Sequence, residues 1–449
     1  MKSKKVVTSF LQFNEKILVM KRSTKVKVHQ QMWGGISGYL EKGEEPLTRA
    51  LIEIQEETGL SNDDVDIITA SEPIGIPDKE IDVLWIIYPH LFKTQKKEIK
   101  IDWEHTEHKW IQPEALSDLV TVPALNETLQ MVLPTPIEKL TSSQEVIEKV
   151  KLIEMDKNHG ASWLANKAIE VIEQVSNTDN HSNLDDYLNR IKAIAELLMN
   201  LRPSMGAINN QVGDLLFKIV EKSKETSNID EISIFINKEK KNHDIITEKN
   251  PKLIAQNVLK LIPNNARILT HSYSSAVIES LILAHKSGKN IQIFVSESRP
   301  LFEGRITAKE LSEHGIPTTL VTDAAAGFFA GKVDMLLVGA DSLLSDGEVI
   351  NKAGTYPIVL AASYQGIPIY IAADIGKLNL RSFFTKILLE EKEVNEVWSE
   401  APSNISIRNL YFDITPKFFI TSIITERQKI RPDELLGISR EMINHRYII

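Results

Sequence analysis

The 449-residue chain contains no cysteine. Disulfide bridges, thiolate zinc sites and a cysteine nucleophile are thereby excluded, and the absence fits a reducing interior. Positive charge is also short: 52 Lys and Arg against 61 Asp and Glu leave a net charge of −9. The basic footprint of a nucleic-acid binder is missing. No run approaches the ~18 apolar residues that a membrane-spanning helix needs. The stretch MKSKKVVTSFLQFNEKILVM has a basic tip, but Asn14, Glu15 and Lys16 interrupt its apolar residues and no small-residue cleavage site follows. It reads as a strand, a turn and a second strand, so a cytoplasmic protein is expected. Internal repeats, low-complexity tracts, a P-loop and a GxGxxG are all lacking.

What is present is ordinary globular composition, 42% hydrophobic and 25% charged, in a length that predicts two or three domains. Residues 1–135 alternate β-rich runs such as KVVTSFLQF, KILVMKR and EIDVLWIIYPHLFK with one marked helix. Pro134 and Pro136 then break the pattern, and Ser142 with Glu145 forms a capping-box signal for a new helix. We place a linker at 136–142 and a helical subdomain at 143–262. From 263 to 449 short apolar runs (RILTHSY, IQIFVSES, TTLVTD, VDMLLVGAD, IPIYIAAD) alternate with helical patterns. That alternation predicts a parallel sheet with helices on both faces and ligands beyond the carboxyl ends of its strands.

The stretch GYLEKGEEPLTRALIEIQEETGL, from Gly38 to Leu60, stacks acid on a helix. Glu53, Glu56 and Glu57 are three and four residues apart and share a face, where like charges cost a few tenths of a kcal/mol per pair. A divalent cation would offset that cost, because hard oxygen ligands suit Mg²⁺. Gly38 permits a tight turn before the helix and Gly59 is a helix stop.

This segment closely resembles the Nudix box, G-x5-E-x7-R-E-U-x-E-E-x-G-U, with Gly38, Glu44, Glu53, Ile54, Glu56, Glu57, Gly59 and Leu60 in register. The resemblance implies an α/β/α sandwich that hydrolyses a diphosphate, with Glu53, Glu56 and Glu57 binding Mg²⁺, or Mn²⁺ in its place. Ile52 stands where the family has arginine, and Arg49, one turn before Glu53, is placed to take over its bracing role. Glu107, in EHTEHKW, occupies a place where related proteins often carry a further acid. His105 and His108 beside it read as a polar loop rather than a zinc site. Lys21 and Arg22 either meet a phosphate or cap a strand.

The last ~300 residues are similar to a second family, which includes the alpha, beta and delta subunits of translation initiation factor 2B, ribose-1,5-bisphosphate isomerase and methylthioribose-1-phosphate isomerase. The matching pieces are LTHSYSSAV, SESRPLFEGRITAKELSEHGIPTTLVTDAA, VGADSLLSDGEVINKAGT and YFDITPKFFITSIITE, with HGASWLA and RPSM upstream. Thr270, His271 and Ser272 end the first strand of the expected sheet, Arg299 follows the second, and Asp341 ends the fourth. With Arg202, Asn351 and Lys352 they are expected to surround a sugar phosphate, cations on the phosphates and Asp341 on a hydroxyl. In the isomerases a cysteine and an aspartate exchange protons with the sugar. Here Ser272 holds the cysteine place, which counts against vigorous isomerisation, since a serine hydroxyl cycles poorly as acid and base near neutral pH; Asp341 is kept, which points the other way.

The reading adopted is an α/β protein in which a Mg²⁺-dependent Nudix hydrolase of a nucleoside diphosphate-linked substrate, ADP-ribose-like, is fused to a Rossmann-like domain that binds a sugar phosphate or nucleotide. The expected catalytic residues are Glu53, Glu56, Glu57, Glu107, Ser272 and Asp341; Arg202, His271, Arg299, Asn351 and Lys352 are expected to bind substrate. Alternatives are a bifunctional enzyme with an active ribose-1,5-bisphosphate-type isomerase, and a translation-factor-like assembly protein with a vestigial Nudix domain. The second resemblance implies homo-oligomers; no membrane or nucleic-acid partner is expected.

Overall fold

The computed structural model describes residues 2–444 except 42, 72, 79–82, 134–135, 158, 179–182, 203, 385–386, 388, 390, 403 and 406. It divides into two compact units, Met1–Pro134 and Thr135–Ile449. Among the described residues no helix is long and apolar enough to cross a membrane.

In the first unit the long strands β1 (Lys2–Phe13) and β7 (Val83–Thr94) pair in parallel at the centre of a mixed sheet. To one side, β2 (Lys16–Arg22) turns back on β1 through Asn14 and Glu15, both at positive φ, and is flanked by β3 (Trp33–Gly34) and β8 (His105–Ile111). β4 (Ile36–Tyr39) lies antiparallel along β1. The strands β5 (Val65–Ala70) and β6 (Ile74–Asp78) both run antiparallel to β7.

Strand alternation fills both faces. Val7 and Leu11 of β1 and Leu18 and Met20 of β2 pack with Ala50 and Ile54 of the helix α1 (Pro46–Thr58). Phe10, Ile17 and Val19 face the other way, toward Leu125 and Leu129 of α2 (Leu125–Val132). Helix, sheet and helix thus form three layers, as expected. Pro46 starts α1 with its fixed φ, and Gly59, at φ 72°, ends it.

The stretch 136–142, expected as a linker, contains the short helix α3 (Ile137–Leu140), whose Ile137 is buried. Helices α4 (Gln144–Met155), α5 (Ala161–Thr178), α6 (Leu184–Leu201), α7 (Gly206–Glu225) and α8 (Ile229–Leu259) follow. Pro251 does not open a new helix but lies inside α8, because Ile254, Ala255 and Val258 beyond it are buried and carry the helix on.

The parallel strands are β9 (Arg267–His271), β10 (Gln292–Ser296), β11 (Thr318–Val321), β12 (Met335–Val338), β15 (Ile369–Ala372) and β18 (Ser422–Ile424), with β19 (Lys429–Ile430) antiparallel at the edge. Their order is β11-β10-β9-β12-β15-β18-β19. The chain leaves β9 to one side and returns to β12 on the other, so the strand order reverses between them. A crevice opens at the carboxyl ends there. A second, four-stranded sheet contains β13 (Ser342–Leu344), β14 (Val349–Lys352), β16 (Leu378–Asn379) and β17 (Phe412–Thr415) in the order β16-β13-β14-β17. Asn351 and Lys352, expected beyond a parallel strand, are residues of β14 in this second sheet.

One glycine here is compulsory. A Cβ on Gly304, near the start of α10 (Glu303–Glu313), would lie 1.7 Å from the Ser296 carbonyl oxygen. Gly304→Ala is expected to destabilise the protein by ~3 kcal/mol or more. Gly437→Ala, in α13 (Leu435–Ile443) where a Cβ would meet nothing within 4 Å, should be neutral or raise the melting temperature slightly, through a gain of at most ~1 kcal/mol. Calorimetric melting curves of the two variants check both.

Candidate functional site

In the first unit Glu53, Glu56 and Glu57 lie on α1 with different surroundings. Glu56 is exposed, the Glu53 side chain is 13% exposed and Glu57 is buried at 5%. The end of β4 approaches the helix so closely that a Cβ on Gly38 would sit 1.7 Å from Glu53 Oε1. Gly38 is therefore what leaves room for that carboxylate. Arg49 Nη1 donates to Glu53 Oε1 at 3.3 Å, and Arg49 Nε donates to both Glu44 oxygens at 3.1 Å. The guanidinium one turn before Glu53 thus joins it to Glu44, while Ile52 occupies the motif position expected to hold arginine.

Glu57 Oε1 accepts the Ser37 backbone N–H at 3.3 Å, and Oε2 is buried without a hydrogen-bond partner. Burial, and then the neighbouring Glu53 charge, hold the Glu57 carboxyl well above the ordinary carboxylate range. Burial also raises Glu53, against the pull of Arg49. Asp102 and Glu104, just before β8, add their charges to the field at Glu57. Glu107, the further acid expected from sequence, instead forms a half-exposed ion pair with Lys109 at 3.2 Å. His105, expected in a polar loop, is buried on β8 with Nδ1 2.9 Å from Asp102 and Nε2 3.8 Å from Glu57 Oε2. Its pKa is lowered, chiefly by burial. His108 lies on the same strand.

Among the described residues no group of three or more His, Asp or Glu side chains is already closed around one point tightly enough to hold a metal ion. The donor chemistry nevertheless fits a cation. A buried carboxylate oxygen lacks a partner, and adjoining acids raise the cost of leaving it so.

In the second unit a cleft of about 460 Å³ opens at the reversal of strand order. Arg202, Ser272, Glu303, Asp341, Lys352 and Tyr411 line it. Ser272 follows β9 at φ 64°. Its N–H donates to Ser298 Oγ at 2.8 Å, and its carbonyl accepts from Thr307 Oγ1 at 2.8 Å. Asp341, three residues past β12, is fixed by its N–H on the Ile350 carbonyl at 2.9 Å. Lys352 Nζ is 2.5 Å from Glu303 Oε1 and stands 4.5 Å over the Tyr411 ring. Arg202 caps α6, fully buried, and donates to the Asp156 carbonyl at 3.0 Å. Burial lowers the pKa of Lys377, against the pull of Asp341, and Lys377 donates to the Ala340 carbonyl at 2.6 Å.

Three residues expected at the ligand stand elsewhere. His271 is behind the cleft: its Nε2 is 3.0 Å from the Ala353 carbonyl and its Nδ1 2.5 Å from Ser296 Oγ. Because a carbonyl only accepts, Nε2 carries the proton and Nδ1 accepts from the serine. Arg299 is exposed outside the cleft lining, with Nη2 on the Val397 carbonyl at 3.1 Å. Asn351 donates to Thr355 Oγ1 at 2.9 Å. Glu303 and Tyr411 were missed from sequence, although each lies within a quoted family segment, beside RPLF and at the head of YFDITPKFFITSIITE.

These two sites belong to recognisable families. The NUDIX domain family matches residues 3–131, and the initiation factor 2 subunit family matches residues 157–432. The chain belongs to the initiation factor 2 subunit family, fused to a NUDIX domain. It is 31% identical over 307 residues to ribose 1,5-bisphosphate isomerase of Archaeoglobus fulgidus, covering 67% of this chain and 95% of that one. It is 37% identical over 210 residues to methylthioribose-1-phosphate isomerase of Pelotomaculum thermopropionicum, covering 42% of this chain and 58% of that one. The structure of translation initiation factor eIF-2B from Pyrococcus horikoshii OT3 superposes with a TM-score of 0.56 at 29% identity, covering 65% of this chain and 98% of that one.

The buried His271 carries a pH signature. Burial lowers its pKa from 6.5 to about 4. The unfolded chain therefore takes up this proton first as pH falls, and the stability it confers is full above pH ~6.5 and lost toward pH ~4. Urea unfolding of the second unit is expected to show a loss of ~2–3 kcal/mol from this group between pH 7.5 and 4.5. His271→Gln, which keeps a donor for Ala353, should flatten that slope.

Proposed function

We propose that the first unit is a divalent-cation-dependent hydrolase of a nucleoside diphosphate-linked substrate, ADP-ribose-like, and that the second unit binds a sugar phosphate. The observation that carries the first part is Glu57: a buried carboxyl group beside Glu53, with one oxygen unsatisfied, on a helix that matches the Nudix box. Glu53, Glu56 and Glu57 would hold Mg²⁺ or Mn²⁺, which supplies neutralisation of the diphosphate charge and activation of water. The chain's own work is to keep that face in order. Gly38 makes room for Glu53, Arg49 orients it, and the Ser37 amide orients Glu57.

In the second unit Arg202 and Lys352 supply cations for phosphate, while Ser272 and Asp341 supply hydroxyl-bonding groups. A cation matched against a buried carboxylate, as in Lys352–Glu303, suits a ligand that brings both negative charge and hydroxyls. The relatives named as ribose 1,5-bisphosphate isomerases, one of them matched over 95% of its length, favour a second reading in which this cleft interconverts an aldose and a ketose phosphate. The relatives named as initiation factors favour binding and assembly. Family membership supports homo-oligomers through this unit.

Incubation of the purified protein with Mg²⁺ or Mn²⁺ and a panel of nucleoside diphosphate derivatives tests the first part by product chromatography. Glu56→Gln is the informative variant, because Glu56 is exposed and its loss spares the core. Hydrolysis is expected to fall at least ~100-fold. Neither turnover nor binding of any panel member would refute the hydrolase. Ribose-1,5-bisphosphate, followed by NMR for the ketose, tests the second reading. Ser272→Cys is expected to raise the rate and Asp341→Asn to abolish it, and equal rates in all three proteins would remove both residues from the chemistry.

A further inference from the structure

His105 has an arrangement that EHTEHKW did not announce. Its side chain is 1% exposed and its Nδ1 lies 2.9 Å from Asp102 Oδ1. That same oxygen accepts the Glu104 backbone N–H at 3.1 Å. It therefore faces His105 as an acceptor, and Nδ1 carries the proton. The neutral ring is left with a bare lone pair at Nε2. What Nε2 faces, 3.8 Å away, is Glu57 Oε2, the buried oxygen without a hydrogen-bond partner.

Two acceptors are thus turned toward each other inside the protein. Their separation is too wide for a hydrogen bond. It is the span of two metal–donor bonds of about 2.1 Å each, meeting at an angle. A histidine whose other nitrogen is held by a carboxylate is also the form in which protein imidazoles commonly bind metals, the carboxylate fixing ring and tautomer.

We infer that His105 Nε2 is a ligand, with Glu57, of the divalent cation that the hydrolase reading requires, and that Asp102 is its positioning residue. Glu53, braced by Arg49, lies on the same helix face as Glu57 and adds its charge to the field there. A mixed nitrogen and oxygen set selects Mn²⁺ and its transition-metal neighbours over Mg²⁺, which favours oxygen alone.

The inference rests on the hydrolase reading, and its test separates the two. Full-length protein is stripped of metal, loaded with Mn²⁺ and measured by electron spin-echo envelope modulation, which detects a directly bound imidazole nitrogen. Nitrogen modulation is expected in the wild type and in His108→Gln, and not in His105→Gln. Asp102→Asn should keep the modulation while weakening Mn²⁺ binding about 10–100-fold, and the Mn²⁺ preference over Mg²⁺ should shrink in His105→Gln. If His105→Gln does not fold, the wild-type spectrum and the Asp102→Asn titration decide. Bound Mn²⁺ without modulation, or modulation that survives His105→Gln or disappears in His108→Gln, overturns this inference and leaves the hydrolase standing. Failure to bind Mn²⁺ overturns the inference, and failure to bind Mg²⁺ as well overturns both.

Discussion

A carboxyl group taken out of water with only one of its oxygens satisfied is the constraint around which the first unit is organised. Burying Glu57 costs free energy that a single amide hydrogen bond from Ser37 does not return. The cost is tolerated because α1 is anchored elsewhere, through Ala50 and Ile54 against the alternating residues of β1 and β2. The core holds the helix, and the helix holds an acid where an isolated chain would not keep it. Gly38 completes the geometry by giving up a side chain where the Glu53 carboxylate must pass.

The second unit meets a related problem differently. Its cleft lies where the strand order reverses, so backbone from β9 and β12 diverges and leaves room. The charges placed there are paired: Lys352 rests on Glu303 and over Tyr411, so neither sign is left alone in a low-dielectric wall. Such a pair recovers its desolvation cost only with close geometry, and leaving one partner alone is strongly destabilising. The phosphate-bearing ligand proposed for this cleft would enter a site already balanced, and would compete with Glu303 for Lys352. His271, behind this wall, ties β9 to β10 through Ser296 and to the turn after β14 through Ala353. It supports the residues that line the cleft without lining it itself.

How far the sites could be read without coordinates depended on distance along the chain. The acidic helix was legible because helical periodicity puts residues 53, 56 and 57 on one face whatever surrounds them. Arg49 followed from the same period. The alternation of short apolar runs and helices announced the parallel sheet, and the polar strand ends announced Ser272 and Asp341. His105 was not legible: a buried imidazole and a solvated one have the same sequence, and only the pairing of β8 with β2 carries it beneath α1. Glu107, its near neighbour on the same strand, went to the surface and to Lys109. Arg299 was expected at a phosphate because it follows a strand, yet the turn there sends its guanidinium outward to Val397.

By itself, then, the sequence determined the acidic face of α1, the parallel sheet of the second unit and the absence of cysteine chemistry, which are properties of composition and short-range periodicity, while the two-family organisation was read from resemblance to known motifs. The tertiary structure alone decided which carboxylate is buried, that Glu104 and Asp102 rather than Glu107 act on it, that His105 faces Glu57, and that Glu303 shares Lys352. The physical reason is that desolvation and ion pairing depend on what distant segments bring to the same few ångströms, and no local pattern encodes that.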